Sequence, residues 1–273
     1  MSKDYERLPF TNNFMFCKIM QSDPELCKEI TEAILDVKIR EIVRIGNEEG
    51  IEISEDGHGV RFDVYLEDSD DTIYDIEMQA ANTRDLIKRS RYYQGMIDLN
   101  TLDKGDDYNK LRKTYIIFIC TFDVFGRGLG KYTLKKSCVE DASIDVNDDS
   151  ITVFVNTGGI LNGASPAMND LVKYISTGVV YGDLSKKIDG ALEKARMNKE
   201  WMVNYMTFEW ELAKVRREGV AEGMAEGMAK GRTEGRIEGQ IELIKTILKH
   251  TSPEEAMSLG ISEKDIEKAL AES

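Results

Sequence analysis

The stretch RFDVYLEDSDDTIYDIEMQ, residues 61 to 79, constrains what this chain can fold into more than any other. Apolar and polar residues alternate along both halves, and DSDD at 68 to 71 supplies turn residues between them. The spacing predicts a β-hairpin. On its first half Phe62, Val64 and Leu66 share one face, and Arg61, Asp63 and Tyr65 the other. On its second half Tyr74, Ile76 and Met78 share one face, and Ile73, Asp75, Glu77 and Gln79 the other. Folding about Asp70 sets Phe62 opposite Met78, Val64 opposite Ile76 and Leu66 opposite Tyr74. The same register sets Asp63 opposite Glu77 and Arg61 opposite Gln79. A slip of two residues would keep the faces but move the pairs, whereas a slip that swapped one strand's faces would bury the acids.

Two carboxylates directly opposite in a ladder repel. Such a pair either faces water on a solvated edge or holds a cation between its members. A hard divalent ion such as Mg²⁺ takes carboxylates, carbonyls and waters. Spacing alone leaves both readings open. Gln79, on the face of Glu77, is placed to orient one such water.

The flanking sequence builds an α/β frame. SDPELCKEITEAILDV (22 to 37) reads as an amphipathic helix, with Ser22 or Asp23 as N-cap and Pro24 at the first helical position. Leu26, Ile30, Ile34 and Val37 recur on one side of it. IREIVRI (39 to 45) and IEIS (51 to 54) read as strands. RDLIKRSRYYQGMIDLNTL (84 to 102) reads as a helix. TYIIFICTF (114 to 122) is apolar on both faces and suits a central buried strand. KYTLKK and ITVFVNT (151 to 157) are further strands, and from Pro166 the pattern is helical. The expected division is a mixed-sheet domain over 1–160, a helical extension over 161–215, a glycine-repeat helix or linker over 216–240 and a small helical element over 241–273.

In EGVAEGMAEGMAKGRTEGRIEG, glycine recurs at 219, 223, 227, 231, 235 and 239. In a helix this makes a slowly winding stripe. Each interior glycine costs about 1 kcal/mol relative to alanine. The repeat is either a helix whose bare stripe lets two backbones approach, or a flexible tether. The first reading favours a homo-oligomer, most simply a dimer through this region. The tail over 252–273 reads as two short capped helices around Gly260, better suited to packing than to reading DNA because its second helix is acidic.

Composition excludes several classes. A net charge of −14 argues against coating nucleic acid through bulk charge, though not against a local basic groove. Four cysteines without CxxC spacing and two histidines make a zinc site unexpected. YIIFIC, the longest apolar run, is too short to span a bilayer, and MSKDYERLPF has no apolar core of a signal peptide. A cytoplasmic, thiol-reduced protein is the expectation. Basic residues gather on the helix after the hairpin. Arg84, Lys88 and Arg91 fall at i, i+4 and i+7, with Arg89 flanking, a stripe suited to phosphates. Tyr92, Tyr93 and Met96 are expected to pack inward.

The acids of adjacent strands, ending in ExQ, with a helix before and a basic helix after, resemble the PD-(D/E)XK nuclease core. More closely, the chain resembles the bacterial recombination-promoting nuclease family, also described as PD-(D/E)XK transposases. The stretches that carry this are LPFTNNFMFCKIM (8 to 20), the hairpin, KRSRYYQGMIDLNTLDKGDDYNKLRKTYIIFICTFDVFG (88 to 126) and the glycine repeat. The resemblance implies a restriction-endonuclease-like α/β fold with a helical C-terminal extension. It also implies metal-dependent DNA cleavage linked to recombination, mobile elements or phage biology. It makes Asp63 and Glu77 metal ligands, and puts Gln79 where the wider superfamily has a catalytic lysine. The chemistry fits: Mg²⁺ on Asp63 and Glu77, with the Met78 carbonyl as a further ligand, lowers the pKa of a water that Gln79 positions. Lacking the lysine's charge, the site is expected to turn over slowly. The family often has acids where this chain has Asn12 and Asn13. If those acids serve the chemistry, activity here is weakened; if they cap a helix, Asn serves as well. The expected function is therefore a Mg²⁺-dependent DNA endonuclease of low sequence specificity. The alternative is a weak or inactive nuclease fold that binds a partner.

Overall fold

The structure is a computed structural model that describes residues 2–46, 49–51 and 60–271. In chain order its helices are α1 (Ser2–Tyr5), α2 (Asn13–Ser22), α3 (Pro24–Leu35), α4 (Leu86–Thr101), α5 (Pro166–Thr177), α6 (Asp183–Met197), α7 (Lys199–Leu248), α8 (Pro253–Ser258) and α9 (Glu263–Ala271). Its strands are β1 (Ile42–Gly46), β2 (Glu49–Ile51), β3 (Val60–Phe62), β4 (Val64–Asp68), β5 (Ile73–Gln79), β6 (Thr114–Cys120), β7 (Lys131–Leu134) and β8 (Ser150–Asn156). Most of the strand expected over 51–54 lies outside the described residues.

The main sheet runs β1-β4-β5-β6-β8-β7. β5, β6 and β8 are mutually parallel at its centre, and the outer pairs are antiparallel. Parallel strands need cover on both faces, which favours near-continuous apolar sequence. TYIIFIC obeys this and lies in the middle, as its composition predicts. On one face α2, α3, α5 and α6 close over Val64, Leu66, Ile76, Ile117 and Val153. On the other, Leu86, Tyr93, Met96 and Ile97 of α4 pack on Phe118 and Phe154. This is a mixed α/β architecture of the restriction-endonuclease-like kind, with a helical C-terminal part.

Local chemistry sets the helix ends. Asp23 caps α3 by accepting from Leu26 N, with Pro24 in the first turn. The helix stops at Leu35, before Val37, and Asp36 takes the left-handed conformation with φ 57°. Ser165 caps α5, and Gly178 ends it at φ 70°. Residues 161–215 were expected as an extension. Within them, Leu171 and Ile175 of α5 and Leu184, Ile188 and Leu192 of α6 are buried in the same core as the sheet.

The hairpin register matches the alternation at Val64↔Ile76 and Leu66↔Tyr74. It departs from it at Phe62. The chain bends at Asp63 between β3 and β4, so Phe62 pairs with Glu49 of β2 rather than facing Met78. Its ring joins the α4 side, 5.2 Å from Tyr93. The reason lies in the acids. Asp63 and Glu77 use their side chains where a regular ladder would use backbone, and this lets the strand turn.

The chain divides into two compact units, 1–205 and 206–273. In the second, the glycine repeat is helical and lies wholly within α7. Residues 206–240 are exposed, and nothing lies within 4 Å of where a Cβ would stand at the repeat's glycines. Ile241 and Ile244 at the end of α7 pack on Ala256 of α8 and Ile266 and Ala269 of α9. Ser252 and Glu255 form a capping box on α8, and Gly260 sits between the two short helices at φ 91°.

Candidate active site

Glu77 and Gln79 lie at the carboxyl end of β5, the edge at which open α/β sheets bind ligands. The break at Asp63 brings its carboxylate to the same edge. The two acids are tied by a crossed pair of hydrogen bonds. Asp63 N donates to Glu77 Oε1 at 3.0 Å, and Met78 N donates to Asp63 Oδ2 at 3.1 Å. The Met78 backbone thus faces Asp63, while Gln79 O, one residue on, faces the other way and accepts from Thr121 N.

Three further side chains converge here. Asn13 Nδ2 donates to Asp63 Oδ1 at 3.1 Å, and Cys17 Sγ donates to Asn13 Oδ1. Gln79 Nε2 donates to Glu77 Oε2 at 3.3 Å. Arg89 Nη2 reaches the same Oε2 at 3.1 Å. The guanidinium lies against the Tyr93 and Phe118 rings, 5.5 and 5.4 Å from their centroids.

Glu77 is 2% exposed. Burial, and then the charge of Asp63, push its pKa up to about 8 against the relief given by the Asp63 N–H and Arg89. Asp75 precedes it on the same face and is fully buried, with both carboxylate oxygens lacking a hydrogen-bond partner. Burial and the charges of Glu77 and Asp63 push its pKa up too, and Arg89 opposes the shift.

The predicted residues divide into those inside this site and those outside it. Asp63, Glu77, Gln79 and the Met78 backbone are together. Arg89 is with them, a half-buried partner of Glu77 rather than a flank of an outer stripe. α4 begins at Leu86, so Arg84 stands ahead of the helix at φ 62° and does not continue a helical row. Lys88 and Arg91 are exposed on α4. Tyr93 and Met96 pack inward as expected, but Tyr92 is 44% exposed. Asn12 caps α2 by accepting from Met15 N, whereas Asn13 reaches the site.

Sequence reasoning missed Asn13 as a partner of Asp63, and the isolation of Asp75. It also misplaced Arg89, although a signal existed. Position 89 lies three residues after Leu86 and four before Tyr93, at the border of the buried stripe of α4.

No group of three or more His, Cys, Asp or Glu side chains among the described residues is arranged to hold a metal. The two carboxylates remain a fit for Mg²⁺, which is commonly bound through one or two carboxylates with waters and substrate phosphates. A buried carboxylate whose charge is disfavoured by a second one is what a cation would relieve. Among the described residues no helix is long and apolar enough to cross a membrane.

Comparison with known families gives one finding. A family described as PD-(D/E)XK nuclease family transposase matches residues 11–150, just over half of the 273-residue chain. No curated protein and no solved structure matches the chain. The matched span contains Asn13, Asp63, Glu77, Gln79 and Arg89, so the whole crossed-acid site falls within it, and the chain belongs to the PD-(D/E)XK nuclease family transposases.

Proposed function

We propose that this chain is a Mg²⁺-dependent DNA endonuclease of low sequence specificity, acting in recombination, mobile-element or phage biology. The observation that carries this reading is the crossed Asp63–Glu77 pair at the carboxyl edge of β5, where one carboxylate is buried with its charge disfavoured. Asp63 and Glu77 would hold the ion, and the carbonyl of Met78, whose N–H faces Asp63, would add a third oxygen ligand. Bound there, the ion supplies a water of lowered pKa and positive charge at the scissile phosphate. Gln79 spends its amide N–H on Glu77, which leaves its amide oxygen to orient a water. Asn13 holds one oxygen of Asp63 and fixes its rotamer. Lys88 and Arg91, exposed on α4, would contact phosphates, which positions DNA without reading bases.

A second reading, a catalytically weak nuclease fold that binds a partner, is favoured by one observation. Arg89 and Asn13 already satisfy the two acids from within. Asp63→Ala and Glu77→Ala decide between the two. Each should abolish Mg²⁺-dependent cleavage of a labelled duplex while leaving the thermal unfolding transition in EDTA in place. Full cleavage by both variants, freed of contaminating nuclease, would sink the endonuclease reading.

A further inference from the structure

Arg89 poses a problem for any cation at Asp63 and Glu77. Its guanidinium sits on Glu77 Oε2, 3.1 Å away, in the place of a counter-ion. A divalent ion on the same carboxylate would repel it at short range in a poorly screened setting. The guanidinium is not free to retreat into water. Its side chain is only 25% exposed, and it is packed against the rings of Tyr93 and Phe118.

The strand that carries Glu77 also carries the complementary defect. Asp75 is buried on the α4 face of β5, one pleat repeat before Glu77, about 7 Å along the strand. Neither of its oxygens has a partner. Arg89 Nε is buried and also without one. Buried polar groups are almost always paired, so a buried donor and a buried acceptor both left unmade, with the charge of Arg89 bearing on Asp75, call for an explanation. A guanidinium has five N–H donors in a fork, enough to exchange one carboxylate for another.

We propose that Asp75 is the alternative seat of Arg89: the guanidinium holds Glu77 when the site is empty and shifts to Asp75 when a divalent cation takes Glu77. Asp75 is then a positioning residue. It touches neither ion nor substrate, and it acts by drawing a competing positive charge away from Glu77. The inference rests on the endonuclease reading, because it needs a cation at Asp63 and Glu77.

Calorimetric titration of Mg²⁺ alone into the full chain, without DNA, tests it. Asp75→Ala should weaken Mg²⁺ binding about tenfold, because Arg89 then stays on Glu77. Asp75→Asn, which keeps one acceptor oxygen and the shape of the side chain, should fall between that variant and wild type. Arg89→Ala should bind Mg²⁺ more tightly than wild type, and Asp75→Ala should add nothing in the Arg89→Ala background. A purely structural Asp75 would weaken binding equally in both backgrounds, and that result overturns the proposal. So does unchanged or weaker binding by Arg89→Ala, a measurement that needs no variant of Asp75. If wild type itself binds no Mg²⁺ at millimolar concentration, the metal reading of the site falls and this proposal falls with it. If wild type binds and the variants do not behave as stated, only this proposal falls.

Discussion

Glu77 receives Gln79, Arg89 and the backbone of Asp63, and still its charged form is disfavoured. Two predictions follow from that at the scale of single residues. The first concerns Gln79. If it orients a water and does not ligate the ion, Gln79→Ala should lower the cleavage rate more than it weakens Mg²⁺ affinity. Equal losses in single-turnover kinetics and calorimetry would make it a ligand or a structural residue. The second concerns pH. The folded state shifts the Glu77 pKa up towards about 8, whereas an unfolded glutamate titrates near 4.5. The contribution of Glu77 to stability in EDTA should therefore be full below about pH 4.5 and be lost as pH rises towards about 8. Asp75 adds to the same slope. Glu77→Gln should flatten it in part, as read by urea unfolding at about pH 5 and about pH 8. Identical slopes for wild type and variant would contradict the account. Alternation in the sequence put Asp63 and Glu77 on one face, and they meet through side chain to backbone hydrogen bonds at the bend rather than as a ladder pair. Asn13 and Arg89 arrive on separate helices, and their contacts depend on how α2 and α4 pack. No local pattern encodes that.

Among the elements, β6 was the easiest to read and the start of β4 the hardest. TYIIFIC is apolar on both faces, which only a covered central strand tolerates. VRFDV looks continuous, but the chain bends at Asp63 because the acid side chains replace ladder partners. The helix after β5 starts two residues later than its charge pattern suggests, which takes Arg84 out of the row. The proposed DNA contacts on α4 are therefore Lys88 and Arg91. Lys88→Ala and Arg91→Ala should each weaken duplex binding to a similar degree whatever its sequence, and each should reduce the slope of log affinity against log salt by about one. Fluorescence anisotropy over a salt series measures both quantities. An unchanged slope would remove α4 as the phosphate-binding element.

For the whole molecule, the sheet with helices on both faces was legible because the order of periodicities, helix, strands, helix, strand, then helices, admits few architectures. The burial of α5 and α6 in that same core was not, since their amphipathic pattern does not say which apolar surface they cover. The repeat left helix and tether open, and α7 makes it a helix with an uncovered stripe, flanked by the exposed side chains of Val220, Met224 and Met228. We propose that a second copy covers it. Replacing Gly223, Gly227 and Gly231 with Leu should then block close approach and convert a dimer to a monomer by light scattering. A wild-type monomer at tens of micromolar would end that idea without touching the nuclease reading. The central claim is phosphodiester hydrolysis at the crossed acids, and nicking of a supercoiled plasmid by the full chain tests it most directly. The expected result is conversion to nicked or linear DNA with Mg²⁺, none in EDTA, and none with Asp63→Ala under either condition. Cleavage that persists in EDTA, or that Asp63→Ala retains in full, would contradict it.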